Sequence, residues 1–287
     1  MRTLKRFFQE RGYIVLCVLL GIAGAWLVHH ATTWGPWAFS DSAAYISSAR
    51  NFNLGLGVSI KNANGALEPL DTFPPVYPLT LSLLARFGLD YLSAARWLDI
   101  FLFGIFLLIF SLSIHSLSGN IWLTLITSLL LLFSPVLIQN FTGAMTEPLF
   151  ITIFYSAIFS TLLYLKKKKI GLLILAVILT AISPLMRYIG LVTCVVNTLM
   201  LLWLNDSTWK EKILKSGVFG FISIVPILSW FGITYRNNQT LGARNFIFSS
   251  NLSGKLQTFI LKTASVFQSW VPYAGLHNDW MPDSVKA

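Results

Sequence analysis

Four side chains from distant stretches of this 287-residue chain are of types that carry group-transfer chemistry: Asp41, Glu147, Arg187 and Arg244. A carboxylate can take the proton that an attacking hydroxyl gives up, and a cation can neutralise a departing phosphate. Asp41 suits the first task. Arg187 or Arg244 suits the second, because a guanidinium presents paired N–H donors that match two phosphate oxygens. Glu147 has three open roles: positioning the acceptor, acting as a second base, or joining Asp41 at a divalent metal. Two acids are a thin ligand set for a hard cation, which gathers more oxygens, so a metal cofactor stays open. Tyr45, Tyr77, Tyr188 and Arg236 complete the candidate substrate contacts. Each charged group also has an ordinary reading. Asp41 can cap a helix, Glu147 can meet a helix dipole, and Arg187 and Arg236 can snorkel to a membrane surface.

What must position these residues is a membrane domain. The chain is 55% hydrophobic and only 11% charged, with a mean hydropathy of +0.69, whereas about a quarter of a soluble domain is charged. Several apolar runs reach the ~20 residues that a helix needs to cross hydrocarbon. Seven spans are predicted, at about 13–28, 96–115, 121–138, 148–165, 170–185, 188–204 and 216–235. The first reads as an uncleaved helix, because its apolar run is long for a signal and more spans follow. The expected fold is thus an all-α integral membrane protein. Residues 1–235 form a polytopic domain with an outer loop over 29–95, and 236–287 form an outer-face tail.

The charges agree with that topology. With the N-terminus inside, the inner side carries Arg2, Lys5, Arg6, Arg11, Lys166 to Lys169, Lys210, Lys212 and Lys215 against Glu10, Asp206 and Glu211, a net +8 of the chain's +10. Basic residues in short inner segments set orientation, so the charge does not imply nucleic acid. Cys17 and Cys194 lie in apolar runs, and His29, His30, His115 and His277 lack ligand spacing.

Within the outer loop, Tyr45, Ala49 and Phe52 recur at i, i+4 and i+7 with Ile46 alongside. This predicts a surface helix capped by Ser40 or Asp41, with Ser47, Ser48 and Arg50 on its other face. A second helix follows Pro74 and Pro75 through Leu79, Leu83, Leu84 and Phe87. Asp41, Glu147, Arg187, Arg236 and Arg244 then all fall on the outer side, and ionisable residues are expected at span ends. Trp34 and Trp37, just before Asp41, are possible substrate contacts, while the other tryptophans suit an interfacial belt.

The ordered set Asp41-x-x-x-Tyr45, Pro74-Pro75-Val76-Tyr77-Pro78, Thr146-Glu147-Pro148-Leu149, Arg187-Tyr188-Ile189-Gly190 and Tyr235-Arg236-Asn237 with Gly242 and Arg244 resembles the GT-C membrane glycosyltransferases. Within them it is most similar to the branch of protein O-mannosyltransferases and the aminoarabinose transferase that modifies lipid A. The resemblance covers about 13–246. It implies a polyprenyl-phosphate-sugar donor, transfer with inversion on the outer face, Asp41 near the reaction centre, and Arg187 and Tyr188 near the donor phosphate. Divalent metal serves some branches and not others. The implied setting is the plasma membrane of a bacterium or archaeon, among membrane lipids, with the acceptor a protein, lipid or glycan.

GT-C chains commonly continue past a seventh span, so three expectations stand side by side: a minimal member, a truncated one, or a subunit whose partner supplies a C-terminal module. In this chain the segment after the seventh span carries Leu252, Leu256, Phe259, Ile260 and Phe267, which suit one more amphipathic helix. Two readings from other classes compete: a polytopic lipid or solute transporter, and a non-catalytic scaffold or subunit.

Overall fold

The structure, a computed structural model, describes residues 2–62, 64–238 and 252–269. It is built on an antiparallel pair, α1 (Arg2–Ala31) and α4 (Tyr91–Ser118). Near the start of α4, Arg96 donates from Nη2 to the His29 carbonyl (3.2 Å) and from Nε to Thr32 Oγ1 (3.2 Å). At the other end Tyr13 stacks on His115, ring centroids 4.0 Å apart. Between them Gly21 and Gly104 let the backbones touch: a Cβ on Gly21 would sit 2.8 Å from the Gly104 carbonyl oxygen, and one on Gly104 2.9 Å from that of Gly21. Small residues allow such approaches where lipid offers no hydrophobic drive for helix pairing. Asp90 caps α4 by accepting from the Leu92 and Ser93 N–H groups.

Helix α5 (Ile121–Leu132) returns from the far end of α4. The sequence predicts one span through Ile138, but the helix stops, because Ser134 caps a new short helix, α6 (Pro135–Asn140), with proline in its first turn. Helix α7 (Glu147–Lys167) runs beside α4, and Lys166 donates to the Ser116 carbonyl at its far end. Then come α8 (Ile170–Met186), a 3₁₀ turn over Tyr188–Gly190, α9 (Leu191–Leu204) and α10 (Trp209–Asn238). Buried polar pairs join these elements: Asn197 Nδ2 donates to Thr180 Oγ1 (2.8 Å), and the Ser183 and Thr193 hydroxyls meet at 2.9 Å. Such bonds hold apolar helices in register where hydrocarbon would leave the groups unpaired. Lys168 Nζ donates to Asn205 Oδ1 just past α9, so the lysine run and the exit of α9 share one end of the bundle.

Four stretches, Gly12–Ala31, Tyr91–Ser118, Glu147–Lys167 and Trp209–Arg236, are long and apolar enough to cross a membrane; α5, α8 and the Tyr188–Leu204 segment are apolar but shorter. The chain is therefore a helical membrane protein in which four of the seven predicted spans have full crossing length.

The first loop contains α2 (Ser40–Asn53) and α3 (Val76–Ala85), close to the two predicted surface helices. The all-α class holds, and between the two helices lies one small hairpin, in which β1 (Ser59–Lys61) pairs antiparallel with β2 (Leu67–Pro69), Ser59 opposite Pro69. Strands of three residues are too short to show a sequence period. The buried face of α2 also differs: it holds Ser42, Tyr45, Ser48 and Ala49, so Ser48 belongs to the packed face and not to the polar one. The chain divides into two units, Met1–Ala243 and Arg244–Ala287. The described part of the second is α11 (Leu252–Ser269), which covers the predicted tail helix.

Candidate functional site

Two backbone bonds bring the first loop to the start of α7. The Trp37 N–H donates to the Thr142 carbonyl (2.8 Å), and the Ala144 N–H donates to the Trp37 carbonyl (2.7 Å), one parallel rung between chain segments a hundred residues apart. Two residues on, the Phe39 N–H donates to Ser42 Oγ (2.9 Å) and opens α2. The expected cap is thus corrected. Neither Ser40 nor Asp41 caps the helix; Asp41 sits half-buried in its first turn, where the exposed N–H groups favour a carboxylate.

One helical turn further, Tyr45 is 3% exposed and packs edge-on against Phe73 and Tyr77, with centroids 4.9 and 5.2 Å away. Its hydroxyl shares a hydrogen bond with Thr146. Burial pushes the Tyr45 pKa up to about 12; the Thr146 bond opposes this, the Asp41 charge adds to it, Arg187 opposes it and Glu147 adds. Those influences place Asp41, Tyr45, Thr146, Glu147 and Arg187 in one constellation. Tyr45 is a neutral hydrogen-bonding group at ordinary pH.

Arg187 reaches the start of α7 from the end of α8. Its Nη1 donates to Thr146 Oγ1 (2.9 Å) and pairs with Glu147 Oε1, while Thr146 Oγ1 donates to Glu147 Oε2 (3.3 Å). The two side chains are 36% and 27% exposed, so the pair contributes at most about 1 kcal/mol and mainly fixes position. Arg187 can turn this way because α8 ends there in an extended conformation and Gly190 folds the next turn onto α8: a Cβ on Gly190 would lie 2.4 Å from the Ser183 carbonyl carbon and oxygen.

The remaining expected contacts divide. Tyr77 joins the constellation, fully buried. Tyr188 donates its hydroxyl to the Asp71 carbonyl (3.0 Å) and lays its ring 5.5 Å from Phe231, tying the first loop to α10. Arg236 is exposed in the last turn of α10, and Arg244 lies outside the described residues. Trp34 and Trp37 are 99% and 67% exposed, with the Trp37 backbone in the rung beside the site.

Asp99 is a further ionisable group that the sequence reading did not single out. It lies roughly 12 Å along α4 from that helix's start, at 1.5 Å per residue. It is 0% exposed, and neither carboxyl oxygen has a hydrogen-bond partner among the described residues. Tyr77 is equally buried and its hydroxyl equally unpartnered. Burial first, then the charges of Asp99, Tyr45 and Glu147, hold the Tyr77 pKa well above the usual tyrosine value. Asp99 is thus within electrostatic reach of Tyr77 and Glu147. Its sequence signal was available: a lone acid followed by the uncharged run from Ile100 to Ser113.

Both Glu147 oxygens are engaged, and no group of three or more His, Cys, Asp or Glu side chains gathers among the described residues. In comparisons with known proteins the chain matched no family model, no curated protein and no solved structure.

Proposed function

We propose that this protein is an inverting glycosyltransferase that moves a sugar from a polyprenyl-phosphate donor to an acceptor hydroxyl at the outer membrane surface. The observation that carries the reading is the convergence of Asp41, Tyr45, Thr146, Glu147 and Arg187 at the bundle end opposite the lysine run. In the proposed reaction the acceptor oxygen bonds to the anomeric carbon, the bond from that carbon to the donor phosphate oxygen breaks, and Asp41 takes the acceptor's proton. Arg187 offers its fork to the departing phosphate. Glu147 and Thr146 hold that fork in place, which makes Glu147 a positioning group in preference to a second base. An apolar groove of about 320 Å³ lined by Leu84, Leu89, Trp97, Leu98 and Phe101 offers a seat for prenyl carbon near the start of α4.

In this reading α5, α8 and α9 complete seven crossings with the four longer helices, the N-terminus is cytoplasmic, and the membrane is a bacterial or archaeal plasma membrane. The acceptor class and a partner subunit remain part of the proposal. The test is sugar transfer from a panel of polyprenyl-phosphate sugars to membrane acceptors. Asp41→Asn is expected to lower transfer by about 10²- to 10⁴-fold with insertion unchanged, and full activity of that variant would sink the assignment.

A second reading, a lipid or solute transporter, is favoured by Asp99, because transporters carry ionisable side chains inside the bundle. Substrate uptake into proteoliposomes that Asp99→Asn abolishes, with no transfer in the wild type, would favour it.

A further inference from the structure

A groove between α8 and α10 lies toward the lysine end of the bundle, away from Arg187 and Glu147, and the proposed transfer leaves it unused. It encloses about 450 Å³. Leu173, Val177 and Ile178 wall it from α8, and Leu214, Val218 and Ile222 wall it from α10, a run of roughly 12 Å along that helix at ~1.5 Å per residue. Its lining among the described residues is apolar except for Lys215, near the start of α10. Ile178, Leu214, Val218 and Ile222 are exposed, so the groove opens sideways, onto lipid in a membrane bundle.

Such a slot accepts a hydrocarbon chain but gains little by choosing it, because lipid tails are as apolar as the slot. Selectivity has to come from the charged end. Helical spacing puts Lys212 one turn further out than Lys215 on α10, and Lys169, immediately before α8, stands one turn beyond Leu173. Against these three cations stands Glu211, whose contact with Lys215 is 3.4 Å long between exposed side chains and is therefore weak. Lys166 and Lys168, by contrast, are already bonded to Ser116 and Asn205. A slot for one chain with a net positive mouth suits a lipid whose head carries net negative charge, since a zwitterionic head would bring its own cation up to the lysines.

We propose that the groove between α8 and α10 holds an acyl chain of an anionic phospholipid from the leaflet at the lysine end, with Lys215 on its phosphate and Lys169 and Lys212 beside it. The site stands whichever reaction the other end of the bundle carries.

The test melts the full chain in a neutral detergent with increasing phosphatidylglycerol, with phosphatidylcholine of the same acyl chains, and with glycerol phosphate, which has the anion without the chain. Only phosphatidylglycerol is expected to raise the melting temperature saturably, since a ligand that binds only the folded state stabilises it. Lys215→Gln should raise the half-saturating concentration about fivefold, the loss expected for one lysine at an anionic lipid surface; Lys215→Arg should keep it, and Glu211→Gln should lower it. Ile178→Trp, which fills the groove from an exposed position, should abolish saturation. Lys167→Gln makes the same charge change at the same end but outside the groove, and should have no effect. Equal responses to the two lipids, a response to glycerol phosphate alone, a loss in Lys167→Gln as large as in Lys215→Gln, or an undiminished response in both Lys215→Gln and Ile178→Trp would overturn the proposal.

Discussion

Arg187 is the residue on which the proposed chemistry turns, and its value is geometric. Lysine would keep the charge but lose the planar fork that reaches Thr146 and Glu147 with one nitrogen and leaves others for a ligand. Arg187→Lys should therefore raise KM for the lipid donor by about tenfold, the equivalent of ~1.4 kcal/mol, with kcat less affected; kinetics at varied donor concentration check this. Tyr45 makes a second residue-scale prediction. Its folded pKa, about 12, lies above the model-peptide value of 10.0, so the folded protein holds that proton more tightly. The stability this supplies is complete below pH 10 and is lost as pH rises through about 12. Melting curves across that window should show wild type losing more stability than Tyr45→Phe. At this scale the sequence was partly legible. Acid, aromatic and arginine types pointed to Asp41, Tyr45, Glu147 and Arg187, but nothing in a linear chain shows that Arg187 takes both Glu147 and Thr146, or that the Tyr188 hydroxyl turns to Asp71. Asp99 escaped for a different reason: it falls within the first turn of the predicted span at 96–115, where a lone acid reads as an ordinary span-end charge.

At the scale of elements, the 3₁₀ turn after α8 aims Arg187, and Gly190 is what allows it. Any side chain there meets the backbone of Ser183 and Pro184, which cannot yield as a flexible side chain can. Gly190→Ala is expected to cost about 1–3 kcal/mol and to weaken donor binding beyond its effect on melting, while an alanine at Gly171, where a Cβ would meet nothing within 4 Å, should do neither. Paired melting and donor-binding measurements distinguish the two. Helix starts were readable where proline marks them, as at Pro74 and Pro75 before α3. The break before Pro135 was missed because apolar residues continue across it; hydropathy does not register that Ser134 caps and that proline offers no N–H. The hairpin was invisible because its register comes from turn and ladder bonds, among them Asn62 accepting from Ala66, and not from alternation.

At the scale of the whole molecule, the two ends of the bundle differ in chemistry. Lys166 and Lys168 bond groups at one end, and Glu147 and Arg187 meet at the other. Positive-inside orientation would place the lysine end in the cytoplasm. Both native cysteines are buried and free, so introduced cysteines can report sidedness. In intact cells an impermeant thiol reagent should label Trp34→Cys and Arg236→Cys but reach Lys167→Cys only after permeabilisation; the reverse pattern would invert the orientation.

The rung between Trp37 and the 142–144 segment also puts a clock on the protein's making. Asp41 leaves the ribosome well before Arg187, by roughly 7–30 s at ~5–20 residues per second. Until Thr142 and Ala144 arrive, the loop that carries Asp41 lacks the two bonds that anchor it, and until α8 is in place Glu147 lacks its arginine. The site is therefore a late product of insertion. Its parts come together only in a chain long enough to have threaded α8, and a translation product halted before then carries the acid without its setting.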